Sequence, residues 1–155
     1  MKHQKKINVW GCFTRHGVGA LYRINGIMDK EMYHQILIHQ FVPSSKTLFP
    51  NDNFIFQQDN DPKHTSKLVQ GYIQRKGWEV FDWPSQSPDI NPIENLWYIL
   101  DRETKDRLCQ NEDDLFKTLE KAWKNISLNM LQSLIDSMPR RMEAVIEANG
   151  YPTKY

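Results

Sequence analysis

Two carboxylates stand at positions where they could bind a divalent cation. Asp59 follows the apolar run at residues 54–56, which is typical of a strand inside a sheet, and Glu94 opens an apolar helix. The 34 residues between them can hold one helix and one further strand. Carboxylate oxygens suit Mg²⁺, and two such ions can hold the attacking and leaving oxygens of a phosphoryl transfer. The spacing is compatible with a metal site for phosphoryl transfer.

Each carboxylate also has a structural interpretation. Asp59 could simply end its strand and start the turn that continues with Asn60, Asp61 and Pro62. Asn91 and Glu94 have the spacing of a capping box, in which the glutamate reaches back to the N–H of the cap. From the residues alone, both interpretations stay open for both carboxylates.

The first half of the chain alternates strands and helices. Residues 7–13 and 20–24 predict a β-hairpin, because apolar and polar side chains alternate around a glycine-containing turn. Asp29 is a predicted N-cap, and the helix after it is expected to end at Pro43. Residues 43–53 are then expected to form a polar loop.

A second helix is predicted to start at the Asp61-Pro62 pair and to stop at Gly77. An alternating stretch at residues 78–83 predicts another strand, and the helix that carries Glu94 follows. Beyond Asn111 the pattern is helical, with Pro139 expected to restart the helix. The apolar side chains expected to face the core are Leu68, Val69, Tyr72, Ile73, Ile93, Leu96, Trp97, Leu100, Met142, Val145 and Ile146.

This order of elements predicts an α/β fold, a mixed sheet with surrounding helices. Residues 1–155 are sized for a single domain. The 20 basic and 19 acidic residues leave a net charge of +1, so DNA binding would depend on local patches rather than on an overall basic excess. Cys12 and Cys109 have no metal-binding spacing, and no apolar run approaches the length of a membrane helix.

Several longer motifs identify a family. The runs WGCF, GIMD, QQDNDPKHTSK, WPSQSPDINPIENLW and SMPRR, with the ending TKY, closely resemble the catalytic domain of mariner-type DNA transposases, in the branch founded by the nematode Tc elements. The likeness covers residues 7–155. It implies a ribonuclease-H-like fold and an Asp-Asp-Glu triad whose second and third members match Asp59 and Glu94 as metal ligands.

The resemblance also implies partners. It predicts Mg²⁺ or Mn²⁺ as the metal, transposon ends and target DNA as substrates, and the nucleus as the location. Lys63 and His64 belong to the same motif as Asp59, so each is expected to contact either DNA or the site; the alternatives are a structural or exposed histidine and a solvated lysine. Trp10, Trp83 and Trp97 are most simply core residues rather than platforms for bases.

The first carboxylate of the triad has no evident counterpart. Before Asp59 the acidic residues are Asp29, Glu31 and Asp52; the first two open a helix, and Asp52, which precedes the strand, lies seven residues and roughly 20 Å from Asp59 at about 3.3 Å per residue. We therefore expect a partial catalytic domain that lacks its first strand, binds metal weakly and is inactive alone. The alternative is a non-enzymatic, transposon-derived remnant that binds DNA, forms a homodimer or pairs with full-length transposase.

Overall fold

The computed structural model describes residues 6–51, 53–83, 87–149, 151 and 153–155. The predicted hairpin is confirmed: β1 (Asn8–Thr14) pairs antiparallel with β2 (Gly17–Ile24), and the register is interrupted between Gly11 and Phe13. Asp52, considered above as a substitute carboxylate, lies outside the described residues.

The helical segment after the hairpin is longer than predicted. Asp29 caps α1 (Lys30–Ile36) as expected, accepting a hydrogen bond from the N–H of Met32 at 2.8 Å. The helix then widens into a π-helical turn (Leu37–Phe41) and continues as α2 (Val42–Leu48). The predicted stop at Pro43 is wrong, as is the loop over its first six residues. A proline in the first turn of a helix needs no N–H donor, and the π turn separates that first turn from α1.

The next helix starts later than predicted. Asp61 forms a tight turn, in which its side chain accepts from the N–H of Lys63 and its carbonyl from that of His64. Ser66 instead caps α3 (Lys67–Lys76), which ends as predicted at Gly77 in the left-handed conformation.

The two strands around α3 are short. β3 (Ile55–Phe56) pairs in parallel with β4 (Glu79–Val80), so the strand predicted at 78–83 is confirmed only in part. Asp59 lies three residues beyond the end of β3 rather than at its last position.

Helices make up most of the second half. A 3₁₀ turn (Pro88–Ile90) precedes α4 (Ile93–Thr104), and α5 (Glu112–Lys124), α6 (Leu128–Asp136) and α7 (Met138–Glu147) follow. Pro139 lies in the first turn of α7, as predicted. The predicted inward face of α7 is partly wrong: Ile146 is 74% exposed, and the buried residue of this helix is Arg141, at 3%.

Two apolar clusters form the core. One packs Phe56 of β3 against Tyr33, Leu37 and the α3 residues Val69 and Ile73. The other joins α4, α5 and α6 through the buried residues Leu96, Leu100, Trp123, Leu131 and Leu134. The three tryptophans predicted for the core do pack there: Trp10 lies against the first cluster, Trp97 against the second, and Trp83 is 8% exposed.

The described strands form two separate two-stranded sheets rather than one continuous sheet. β1 and the β3 segment nevertheless line the same cavity, and helices cover both sheets. The α/β arrangement therefore matches the prediction, with an opening between the sheets. No helix among the described residues is long and apolar enough to cross a membrane.

Candidate metal centre

The cavity between the two sheets has a volume of about 510 Å³. Its walls come from β1, from α1 and α2, from residues 54–59 and from the start of α4. Asp59 and Glu94 both line it, so the fold brings the two predicted site residues to one cavity. They are also the only Asp or Glu side chains among the described residues that do so.

Asp59 presents an ionised carboxylate. Nδ1 of His64 donates to its Oδ1, the same oxygen accepts from the N–H of Asp61 at 3.1 Å, and Lys63 adds positive charge nearby. The hydrogen bond from His64, more than any other influence, holds the pKa of Asp59 below its ordinary value, against the opposing effect of burial. Its side chain is 51% exposed, so a cation from solvent can reach it.

A network of polar side chains positions His64. Its ring packs on Tyr33 with 4.0 Å between the ring centroids, and the hydroxyl of Tyr33 donates to Oε1 of Gln58 at 2.5 Å. Nε2 of Gln58 donates to the carbonyl of His64 at 3.0 Å, and Nε1 of Trp83 donates to the carbonyl of Gln58 at 2.8 Å. These bonds fix an irregular segment that no strand pairing holds.

His64 itself is buried, with only 9% of its surface exposed. Its Nε2 is also buried and has no hydrogen-bond partner within the described part of the chain. Of the two roles predicted for it, contact with DNA or with the site, the geometry favours the site. Lys63 is partly exposed and pairs with Asp61, Nζ to Oδ2 at 3.1 Å. Exposed pairs of this kind are weak, so Lys63 stays available to a phosphate.

Glu94 lies in the first turn of α4 and is exposed to the cavity. The capping box predicted with Asn91 does not form. Pro92 occupies the cap position without a side-chain hydrogen bond, and the N–H of Glu94 binds the main-chain carbonyl of Asn91 at 3.2 Å. Among the described residues the Glu94 side chain makes neither a hydrogen bond nor an ion pair, which leaves its carboxylate free for a ligand.

One hydrogen bond joins the two carboxylate-bearing segments. Nε2 of Gln57 donates to the carbonyl of Ile90 at 3.0 Å. Gln57 lies two residues before Asp59, and Ile90 lies four residues before Glu94. The bond therefore ties the loop after β3 to the turn that precedes α4.

The donor set suits a hard cation but is small. Both carboxylates are accessible, and oxygen ligands are those that Mg²⁺ and Mn²⁺ prefer. Over the described ranges, no group of three or more His, Cys, Asp or Glu side chains could hold a metal ion. Asp29 and Glu31 belong to the N-terminal end of α1 and do not line the cavity.

Comparison with known proteins decides the family. A family model described as DDE superfamily endonuclease matches residues 1–116. The chain belongs to the DDE endonuclease superfamily. Among curated members it is 50% identical over 149 residues to the transposable element Tc1 transposase of Caenorhabditis elegans and 46% identical to the Tcb1 transposase of Caenorhabditis briggsae. These alignments cover 96% of the chain and 54% of each relative, so the chain spans about half the length of these relatives.

Solved structures show the fold of this DDE domain. The catalytic domain of Mos1 transposase, solved with raltegravir and Mg, matches with a TM-score of 0.83 and 18% identity, over 96% of this chain and 84% of that one. The Mos1 mariner paired-end complex with Mn matches with a TM-score of 0.89 and 20% identity, over 99% of this chain and 47% of that one. The predicted transposase resemblance and ribonuclease-H-like fold are both confirmed.

Sequence reasoning missed several residues that organise the candidate site. Gln57 and Gln58 stand in the QQDN motif, but nothing in their spacing indicated that their amides would cross-link the loops. The sequence also contains no sign that the hydroxyl of Tyr33, a buried residue of α1, would bond to Gln58 beside His64. Arg141 carries a charge on a helix face expected to be apolar, and that mismatch is the one signal that could have identified it.

Proposed function

We propose that this chain is part of the catalytic domain of a cut-and-paste DNA transposase, with Asp59 and Glu94 as ligands of Mg²⁺ or Mn²⁺. The observation that carries the proposal is the shared cavity: two accessible carboxylates from separate segments face one space, and the Gln57–Ile90 hydrogen bond joins those segments. A bound metal would activate an oxygen nucleophile and stabilise charge on a phosphodiester.

The protein's own residues have distinct tasks in this proposal. His64 holds the carboxylate of Asp59 in its ionised form and in one orientation, through the bond to Oδ1. The start of α4 presents Glu94 without a competing hydrogen bond from any of the described residues. Lys63, at the rim beside Asp61, would bind a DNA phosphate of a transposon end or target, and the protein would act in the nucleus.

We further propose that the isolated chain does not cleave or join DNA. The cavity offers two carboxylates from the described residues, whereas the family's arrangement uses three to hold two ions. A missing ligand displaces the nucleophile, and an error of about 1 Å can cost on the order of a hundredfold in rate. The whole of residues 1–155 would then act as one partial domain.

The experiment is cleavage of supercoiled plasmid by the purified chain in Mg²⁺ and in Mn²⁺, with Glu94→Gln as the matched inactive control. The expected result is no nicking above that of Glu94→Gln. Nicking that depends on Glu94 would prove the inactivity proposal wrong and would show that another carboxylate completes the site.

The second candidate is a non-enzymatic role, in which the chain binds DNA, forms a homodimer or pairs with full-length transposase. The opening between β1 and β3 favours it, since unpaired strand edges invite another chain. Co-sedimentation with a full-length relative, such as the Tc1 transposase, tests it. A complex that survives Glu94→Gln would support pairing independent of catalysis, and separate sedimentation at all concentrations would exclude pairing with the full-length relative.

A further inference from the structure

The motif SMPRR, with the ending TKY, has no part in the metal site proposed above, although it is as distinctive as the motifs around Asp59 and Glu94. Its two arginines have different surroundings. Arg140 is exposed, and its Nη1 donates a 3.4 Å hydrogen bond to the carbonyl of Asp136. Arg141 is 3% exposed, and no other Lys, Arg, Asp or Glu among the described residues is buried. Burying a guanidinium costs free energy of folding unless its N–H groups are hydrogen-bonded. The hydrogen-bond partners of Arg141 therefore indicate its role.

The three donor groups of Arg141 bind three different segments. Nε donates to Oγ of Ser137 at 2.7 Å, within the start of its own helix. Nη1 donates to the carbonyl of Asp89 at 3.2 Å, and Nη2 donates to Oδ1 of Asn95 at 3.0 Å. Asp89 lies in the 3₁₀ turn before α4, and Asn95 is the residue directly after Glu94. One planar group therefore binds the chain on both sides of Glu94.

The C-terminal segment closes over this arrangement. The ring of Tyr155 lies 5.0 Å from the guanidinium carbon, and the N–H of Thr153 donates to Oδ2 of Asp89 at 3.0 Å. In the part of the chain that the structure describes, no carboxylate lies within ion-pair distance of Arg141. Its hydrogen bonds therefore go to neutral acceptors, with an aromatic face and the more distant charge of Asp89 beside them, an arrangement that fixes geometry more than it pairs charges.

We propose that Arg141 is a positioning residue for Glu94: it sets the entry of α4 so that the Glu94 carboxylate faces the cavity and Asp59. The first turn of α4 needs such support, because Pro92 caps it without a side-chain hydrogen bond. Two side chains hold this turn by hydrogen bonds. Gln57 donates to the carbonyl of Ile90. Arg141 donates to the carbonyl of Asp89 and to the side chain of Asn95. The inference rests on the proposed metal role of Glu94. It gives the SMPRR motif a function in the site, and TKY a function in shielding it.

The first test measures local geometry without metal. Hydrogen exchange at the amides of Glu94 and Asn95, which bond to the carbonyls of Asn91 and Pro92, reports on the first turn of α4. We expect at least about tenfold faster exchange in Arg141→Met and in the milder Asn95→Ala, and no change in the matched control Arg140→Met. Equal exchange in Arg141→Met and Arg140→Met would overturn the proposal.

The second test measures Mn²⁺ affinity by electron paramagnetic resonance. Residues that orient a metal ligand typically change affinity by about 10-fold or more, so Arg141→Met is expected to weaken Mn²⁺ binding by about 10-fold. Arg141→Lys should recover only part of the lost Mn²⁺ affinity, because an ammonium group cannot donate to Asp89 and Asn95 at the same time as the planar guanidinium does. Leu131→Ala, a truncation of the buried core in α6 that leaves the motif's own side chains intact, separates positioning from general destabilisation.

The outcomes distinguish this inference from the proposed function. If Glu94→Gln weakens Mn²⁺ binding and Arg141→Met does not, the metal site stands and the positioning role is wrong. If Leu131→Ala lowers affinity as much as Arg141→Met at equal loss of melting temperature, the role of Arg141 is structural and the inference also fails. If Glu94→Gln leaves Mn²⁺ binding unchanged, the metal role of Glu94 falls, and the positioning role falls with it.

Discussion

Nδ1 of His64 donates a hydrogen bond to Oδ1 of Asp59, although the two residues belong to different turns of an irregular segment. The imidazole is buried against Tyr33, so its orientation is fixed by packing, whereas the carboxylate that it holds is half exposed. A rigid, buried donor thus orients an accessible acceptor, which is how a protein presents an oxygen ligand before a metal arrives.

Replacing His64 is expected to raise the pKa of Asp59. His64→Phe keeps the ring that packs on Tyr33 but removes the donor, the largest cause of the lowered pKa. Because the pKa of Asp59 is lower in the folded state, the hydrogen bond stabilises the protein above the unfolded-state pKa. That stabilisation is lost as pH falls through the folded-state pKa.

Carbon NMR titration of the Asp59 carboxyl measures this effect directly. His39→Phe is the control, since the exposed His39 bonds only to Gln35 among the described residues. An Asp59 pKa that is the same in the wild type and in His64→Phe would show that the bond does not form in solution.

Metal binding is expected to be weak. With two carboxylates, Mg²⁺ should bind with a dissociation constant of about a millimolar or weaker, and Mn²⁺ little better, because the number of charged oxygen ligands sets affinity at such sites. Titration calorimetry measures it, with Asp106→Asn as a control at an exposed acidic residue that does not line the cavity. Two tight ions per chain would contradict the two-ligand account.

Two glycines should respond to alanine in opposite directions. A Cβ on Gly11 would lie 2.9 Å from Cη2 of Trp97 and 3.1 Å from Cζ2 of Trp123, two rings stacked with 5.3 Å between centroids. Gly11→Ala should lower the free energy of unfolding by about 1–3 kcal/mol. In α3, Gly71 meets only the flexible end of Arg75, so Gly71→Ala should raise it by about 0.5–1 kcal/mol. Urea denaturation measures both, and a stabilising Gly11→Ala would refute the packing described here.

We expect the isolated chain to be marginally stable, aggregation-prone or dimeric, because β1 and β3 each have an edge that is unpaired among the described strands. Both edges line one cavity, and unpaired backbone groups beside an apolar wall favour pairing with another strand. A peptide with the first-strand sequence of the Tc1 transposase catalytic domain should raise the melting temperature. The control peptide carries a central proline, which cannot donate to a ladder. A monomer that melts sharply and ignores the peptide would mean that the opening closes in another way.

Local signals in the sequence predicted much of the fold. The hairpin follows from alternation, the starts of α1 and α7 from Asp29 and Pro139, and the end of α3 from Gly77. The errors arise where one local signal overrides another. At Pro43 the helix continues beyond a π turn, and Asp61 builds a turn of its own before α3 begins.

The two candidate ligands could be predicted from the sequence, but the contacts that orient them could not. The positions of Asp59 and Glu94 follow from motifs, whereas their orientation depends on partners far away in sequence. The bond from Gln57 spans 33 residues, and that from Arg141 to Asn95 spans 46. Spacing cannot show such bonds, because they exist only after the sheets and helices have packed. Arg141, a charged residue on a helix face predicted to be apolar, is the sequence feature that indicates this packing.

The most direct measurement is anomalous diffraction at the manganese edge from crystals soaked in Mn²⁺ at tens of millimolar, well above the weak affinity of about a millimolar expected for two carboxylates. The account predicts a manganese peak in the cavity between β1 and β3, with carboxylate oxygens of both Asp59 and Glu94 at about 2.0–2.2 Å. Crystals of Glu94→Gln should lose or weaken that peak. Manganese bound elsewhere, or bound by Asp59 with Glu94 turned away in solvent, would contradict the account.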